Sequence, residues 1–263
     1  MNWLHIERSD TPLILAFPHG GTGLAGYDDS FRSHWWAIRD ADWHIRALYE
    51  GLADATFIWT DISRSVIDCN RDPSGQSLYP GQTTTGLCPT ETFDGEPLYR
   101  DGYEPDPAER MPWFTPYHAA IEAEIARLRE THPKVVLYDC HSIRSVVPRL
   151  FDGELPELNI GTDMGSTCDI ALSNAVVAAS ATRSHVLNGR FRGGWTTRHY
   201  GQLNKGIHAI QMETAMRAYL DEPSGEPNES NWPPEWNPDR AAPLRTDLEQ
   251  ILAAAMAFAK APA

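Results

Sequence analysis

Three apolar runs in this chain each stop abruptly in a polar cluster that holds a histidine or a glutamate. Pro12 to Phe17 (PLILAF) ends in Pro18-His19-Gly20-Gly21, Lys134 to Tyr138 (KVVLY) ends in Asp139-Cys140-His141-Ser142, and the run from Gly206 ends at Glu213. Runs this short and this rich in Val, Ile and Leu read as buried strands. Segments of helical periodicity lie between them: about Trp35 to Leu52, Tyr117 to Glu130, and the Ala-rich Asp169 to Ala181. Further strands are expected at Thr56 to Thr60, Arg64 to Ile67 and His185 to Leu187. A helical segment should follow Glu213 to about Leu220, and a last helix should cover Leu244 to Phe258. Strands alternating with helices predict an α/β fold, a mostly parallel or mixed twisted sheet flanked by helices. In such sheets ligands gather beyond the carboxyl ends of the strands. All three polar clusters stand there.

A chain of 263 residues can bury a self-sufficient core, and one domain over residues 1–263 is expected. Within it, residues 69–113 form an irregular region rich in Gly, Pro, Thr and Asp, and residues 222–243, with six prolines, a surface excursion. Against 22 basic side chains stand 36 acidic ones, a formal charge of −14, with no Lys/Arg block. That balance argues against nucleic acid or an anionic membrane as a partner. No apolar run approaches the length of a spanning helix, and the start, MNWLHIERSD, has neither part of a signal peptide. Four cysteines without a CxxC pair fit a reduced, cytoplasmic protein.

His19 and His141, each at the end of an apolar strand, are candidates for a shared metal such as Zn²⁺, or else simple strand caps. Asp42 adds to the case. At about 100° per residue, Ile38, Ile45 and Tyr49 share one helix face, Asp42 falls about 40° to its side, and Asp40 projects almost opposite. A carboxylate on an apolar face needs a metal or a buried Arg or His partner. Glu213, at a strand end, can serve as a general base beside a metal site, or as an acidic residue at a helix N-terminus. Asn70 and Arg71 follow the Arg64–Ile67 run, and Arg144, Arg190, Arg192 and Arg198 sit in other polar loops. Arginine in such loops suits an anionic small molecule, ordinary surface Arg being the other reading. Cys140-His141 is no catalytic pair, because neighbours on a strand face opposite ways. Gly20-Gly21-Thr22-Gly23 lacks the ending of a phosphate-binding loop.

The ordered set PHGG at 18–21, DADWHIRALY at 40–49, IDCNRDPSG at 67–75, DCHS at 139–142, GGWTTRHYG at 193–201 and IQMET at 210–214 resembles the N-formylglutamate amidohydrolase (deformylase) family of histidine degradation. The resemblance covers roughly residues 12–220. It implies a fold and site layout like those of zinc carboxypeptidases and aspartoacylases, with one Zn²⁺ per chain held by His19, Asp42 and His141. It also implies Glu213 as general base, Asn70 and Arg71 on a substrate carboxylate, and a functional place for His199. The carboxypeptidase pattern sets its acidic ligand three residues after the first His, where this chain has Thr22, so the acid must come from the next helix. The expected reaction is hydrolysis of N-formyl-L-glutamate to formate and L-glutamate, a small anionic N-acyl amino acid as substrate. Arg144, Arg192 and Arg198 are then candidates to help Arg71 neutralise its two carboxylates. Another N-acyl amino acid as substrate, or a carboxylate-binding module without catalysis, are the alternatives.

Overall fold

Nine consecutive buried residues, Val135–Ile143, form the middle strand of a seven-stranded sheet in the computed structural model, which describes residues 3–77 and 81–262. The strands are β1 (Leu4–Glu7), β2 (Leu13–Phe17), β3 (Thr56–Thr60), β4 (Val135–Ile143), β5 (Leu158–Gly161), β6 (His185–Leu187) and β7 (Ile207–Ala215). Their order across the sheet is β1-β3-β2-β4-β7-β5-β6. The central four, β3, β2, β4 and β7, are parallel. β1 joins β3 and β5 joins β7 antiparallel, and β6 runs parallel to β5. The sheet is mixed with a parallel centre, as strand–helix alternation requires.

The helices are α1 (His34–Arg39), α2 (Ile45–Tyr49), α3 (Pro107–Arg129), α4 (Ile170–Ala179), α5 (Trp195–Tyr200) and α6 (Pro238–Lys260). Four of them start on a side-chain cap, Ser33, Asp106, Asp169 or Asn237, which accepts from an otherwise unbonded backbone N–H of the first turn. One face of the sheet (Leu13, Leu15, Phe17, Val136, Tyr138, Ile210, Met212) packs on α2, α4 and α6 through Leu48, Leu172 and Leu248. The other (Ile14, Ala16, Ile58, Val135, Leu137, Ala209) packs on α3 through Phe114, Ile121 and Ile125.

Side chains alternate along a strand with period two. On the α3 side, β4 therefore presents Val135, Leu137, Asp139 and His141, and β7 presents Ile207, Ala209, Gln211 and Glu213. Register pairs Asp139 with Gln211 and His141 with Glu213. The same face is apolar over its first half and polar at its carboxyl end.

Several expectations need correction. The helix expected over 35–52 is two short helices, because residues 40–44 leave the helical path: Asp40 caps the Phe93 N–H, Asp42 N–H donates to His19 O, and His44 adopts a left-handed φ of 59°. Tertiary partners for those two carboxyl residues outweigh the local periodicity. Arg64–Ile67 is a turn region rather than a strand. β7 runs on through Glu213 to Ala215, and only a 3₁₀ turn, Met216–Ala218, follows it. α3 begins at Pro107, inside the stretch read as irregular, and α6 begins at Pro238, inside the proline-rich excursion. Residues 78–80 of the irregular region lie outside the described residues. Among the described residues no helix is long and apolar enough to cross a membrane.

Candidate metal centre

His19 leaves β2 on the Pro18-His19-Gly20-Gly21 turn. That turn needs glycine at position 21, since a Cβ there would collide with the backbone of Asp61 and Ile62 beyond β3. His141 comes from β4, and Asp42 from the break between α1 and α2. The three side chains are buried together. His19 Nδ1 lies 3.1 Å from His141 Nδ1, Asp42 Oδ2 lies 3.2 Å from His141 Nδ1, and His19 Nδ1 is 3.8 Å from Asp42 Oδ2. Ligands of a tetrahedral Zn²⁺ at about 2.0–2.1 Å stand roughly 3.3–3.4 Å apart, so the triangle has the size of a metal face. Asp42 Oδ1 is buried without a hydrogen bond, with Arg64 Nη1 at 3.5 Å. Lone pairs converging in a dry site repel unless a cation or a proton lies between them. The group could hold a metal ion.

The outward ring nitrogens have carboxylates of their own. His19 Nε2 donates to Asp68 Oδ1 at 2.7 Å. His141 Nε2 lies 2.9 Å from Asp139 Oδ2 and also 2.9 Å from Asn70 Nδ2. The Asp139 contact is off the hydrogen-bond axis, leaving both its oxygens without an aligned donor. Ligation through Nδ1 leaves the ring proton on Nε2, where Asp139, an acceptor only, is the fitting partner. Asp42 is fixed by the Ser142 N–H at 3.0 Å, and Ser142 Oγ meets the Tyr219 hydroxyl at 2.8 Å.

Electrostatics set the resting protonation. Burial, helped by Arg64, lowers the His19 pKa to about 4, so this ring is neutral at pH 7. Burial also disfavours charge on His141, but Asp139 and Asp42 override it and raise its pKa well above the ordinary value. Burial opposes ionisation of Asp68 too, yet Arg71, His19 and Arg64 hold it well below the carboxylate range. Asp68 thus remains an anionic acceptor for His19. Outer-shell partners of this kind typically cost 10–100-fold in metal affinity when mutated. The expected result for Asp68→Asn is a loss of that order, read by competition with a chromogenic chelator.

Glu213 faces the same cleft, beside His141 in the sheet. Gln211 Nε2 donates to its Oε2 at 3.2 Å, while Gln211 Oε1 accepts the Gly194 N–H at 2.7 Å. Burial, reinforced by Asp42 and Asp139 and opposed by His141 and Arg64, raises the Glu213 pKa to about 7. A carboxyl group poised near neutrality can both take and return a proton. The cleft is lined further by Arg64, Asn70, Arg71, Phe93, Arg190 and Phe191.

The N-formylglutamate amidohydrolase family model matches residues 11–220, a span that carries the whole cluster. The chain belongs to this family. It is 41% identical to the N-formylglutamate deformylase of Pseudomonas aeruginosa, over 98% of this chain and 97% of that one. Against the N-formylglutamate deformylase of Pseudomonas putida the identity is 40%, over 97% and 96%. The crystal structure of N-formylglutamate amidohydrolase from Ralstonia eutropha JMP134 superimposes with a TM-score of 0.77 at 20% identity, covering 99% of both chains. A gene product of Agrobacterium tumefaciens superimposes with a TM-score of 0.70 at 18% identity, over 98% of this chain and 96% of that one. The two structures share the fold.

The remaining sequence candidates of this family member separate in space. Asn70 and Arg71 are in the cleft. Asn70 packs against Gly194, where a Cβ would collide with its amide, and accepts the Thr196 N–H at 2.9 Å. Arg71 Nε and Nη2 donate to Thr85 O and Thr85 Oγ1, both at 2.8 Å. Arg144 turns away, donating to Asp94 at 2.6 Å in a separate cleft with Arg39 and Trp232. Arg198 pairs with Asp163 at 3.2 Å, and Arg192 Nε reaches Gly189 O at 3.4 Å. His199 is exposed and stacked on Trp195, ring centroids 4.1 Å apart. None of these four lines the cleft of the histidine pair. Sequence reasoning missed Asp68, Asp139, Gln211 and Arg64. Asp139 and Gln211 carry a signal, each two residues before a site residue on the same strand face. Arg64 heads a run whose pattern predicts only a strand; its Nη2 donates to Asp68 Oδ2 at 2.8 Å and its guanidinium lies 4.8 Å from the Phe93 ring centroid.

Proposed function

We propose that this chain is a metal-dependent amidohydrolase that cleaves N-formyl-L-glutamate to formate and L-glutamate, with one Zn²⁺ per chain on His19, Asp42 and His141. The observation that carries the reading is the triangle of two Nδ1 atoms and one carboxylate oxygen, 3.1–3.8 Å on its sides, in the same cleft as Glu213. The substrate comes from the names of the relatives. A divalent ion there supplies Lewis-acid polarisation of the formyl oxygen and acidifies water.

This chain's residues do the rest. Glu213 takes a proton from the attacking water and returns it to the amide nitrogen as the C–N bond breaks, so L-glutamate leaves as an amine and formate keeps the new oxygen. Gln211 holds the Glu213 carboxylate in place. Asn70 and Arg71 bind a substrate carboxylate at the cleft wall, and Arg64, held by Asp68 beside Asp42, offsets the negative charge gathered there. The family resemblance supports a place in histidine degradation, and four cysteines that are all free thiols support a cytoplasmic setting.

The test is metal analysis with activity. Purified protein should carry about one divalent ion per chain; chelation should abolish formate release, and added Zn²⁺ should restore it. Full turnover in a rigorously metal-free preparation would overturn the metal role, and no release of formate by the metal-loaded protein would overturn the substrate.

A further inference from the structure

An N-formylglutamate has two carboxylates, and the arginines expected to share them with Arg71 lie elsewhere. Arg190, in the loop before α5, lines the cleft instead. Its Nε donates to Leu150 O at 2.7 Å and its Nη2 to Thr83 O at 2.9 Å, so backbone carbonyls from two other segments aim the guanidinium. Arg71 grips the same threonine segment two residues on, at Thr85 O. Two residues of chain span at most about 7 Å, which limits how far apart the carbonyls anchoring the two arginines can be. The two carboxyl carbons of an extended glutamate are roughly 5 Å apart at bond lengths of ~1.5 Å. Ile143, Leu150 and Phe191 form an apolar wall in the same cleft, suited to the two methylenes of a glutamate side chain.

We infer that Arg190 reads the side-chain carboxylate of the substrate and Arg71 the α-carboxylate. The assignment rests on the proposed function and on distance from the metal centre. Arg71 follows Asn70, which touches His141, and its Nη1 lies 3.7 Å from Asp68, the partner of His19. The α-carboxylate sits on the carbon that bears the scissile nitrogen, so the arginine nearer the metal ligands meets it. Arg190 is anchored instead on Leu150 and Thr83 and meets the longer arm.

The experiment compares N-formyl-L-glutamate with its side-chain amide, N-formyl-L-glutamine, and its α-amide, N-formyl-L-isoglutamine, in metal-loaded wild type, Arg190→Gln and Arg71→Gln. A charge-assisted hydrogen bond corresponds to roughly 10–150-fold. In Arg190→Gln the preference for glutamate over glutamine should fall by that factor through KM, with the preference over isoglutamine kept; Arg71→Gln should show the reverse. Arg190→Lys, which keeps the charge but not the planar fork, should recover part of the preference. Calorimetric binding of L-glutamate against L-glutamine reads the same discrimination without turnover. If wild type hydrolyses none of the three compounds, the proposed function fails while calorimetry still decides Arg190. An unchanged glutamate-to-glutamine ratio in both Arg190 variants, or an equal fall in both ratios, overturns the inference.

Discussion

Glu213→Gln should lower kcat by roughly 10²–10⁴-fold, the typical contribution of a positioned general base, while the protein keeps its metal and KM changes little. The amide has nearly the shape of the carboxyl group but cannot carry the proton. It can still accept from Gln211, so the cleft should keep its form. In the metal-free protein Glu213 titrates at about 7, raised above 4.5 chiefly by burial. A bound cation attracts the carboxylate and moves that titration lower, so the acid limb of kcat/KM should fall below pH 7 in wild type and vanish in the variant. Stability should move the other way. A carboxyl group whose folded pKa is raised favours folding when protonated, and that advantage is lost as pH rises from 4.5 through 7. Metal-free Glu213→Gln should therefore melt above wild type at pH 8 and level with it near pH 4. Near-normal kcat, or loss of metal, would assign the proton transfer elsewhere.

The second large effect divides two aspartates only two residues apart. Asp42→Asn removes the anionic member of the triangle, so metal affinity should fall by more than the ~10–100-fold that outer-shell partners cost, and activity at limiting metal should fall with it. Asp40→Asn should keep the metal. Asp40 is 8% exposed, caps the Phe93 N–H at 2.6 Å and lies 3.5 Å from Arg39 and 3.7 Å from Arg144. Its loss leaves those buried cations short of a partner, so the variant should lose about 1–3 kcal/mol of stability, read by denaturant unfolding. Similar metal loss in both variants would show that the triangle is not the metal site.

These two residues also show how far the sequence could be read. Periodicity places Asp42 on an apolar helix face and Asp40 in solvent; in the structure Asp42 is buried beside both histidines, the helix is broken at that point, and Asp40 is buried too. Asp42 does lie with the two histidines, but not along the helix the periodicity predicts, because local periodicity carries no information about His19 O or the Phe93 N–H. Strand ends were better readable. The switch from Val135 and Leu137 to Asp139 and His141, and from Ala209 to Gln211 and Glu213, is a period-two pattern visible in one dimension. The arginines were not. Arg71, Arg144, Arg190, Arg192 and Arg198 all sit in polar loops, and only tertiary partners such as Asp94, Asp163 or Thr83 decide which of them faces the cleft.

The sheet ends in very short strands, β1 of four residues at one margin and β6 of three at the other. A margin that short offers a foreign strand only a few backbone groups to pair with, and short edge strands are one way proteins resist edge-to-edge growth. Concentrated preparations of this protein should therefore resist ribbon-like aggregation through the sheet, even though its parallel centre is among the most apolar parts of the chain.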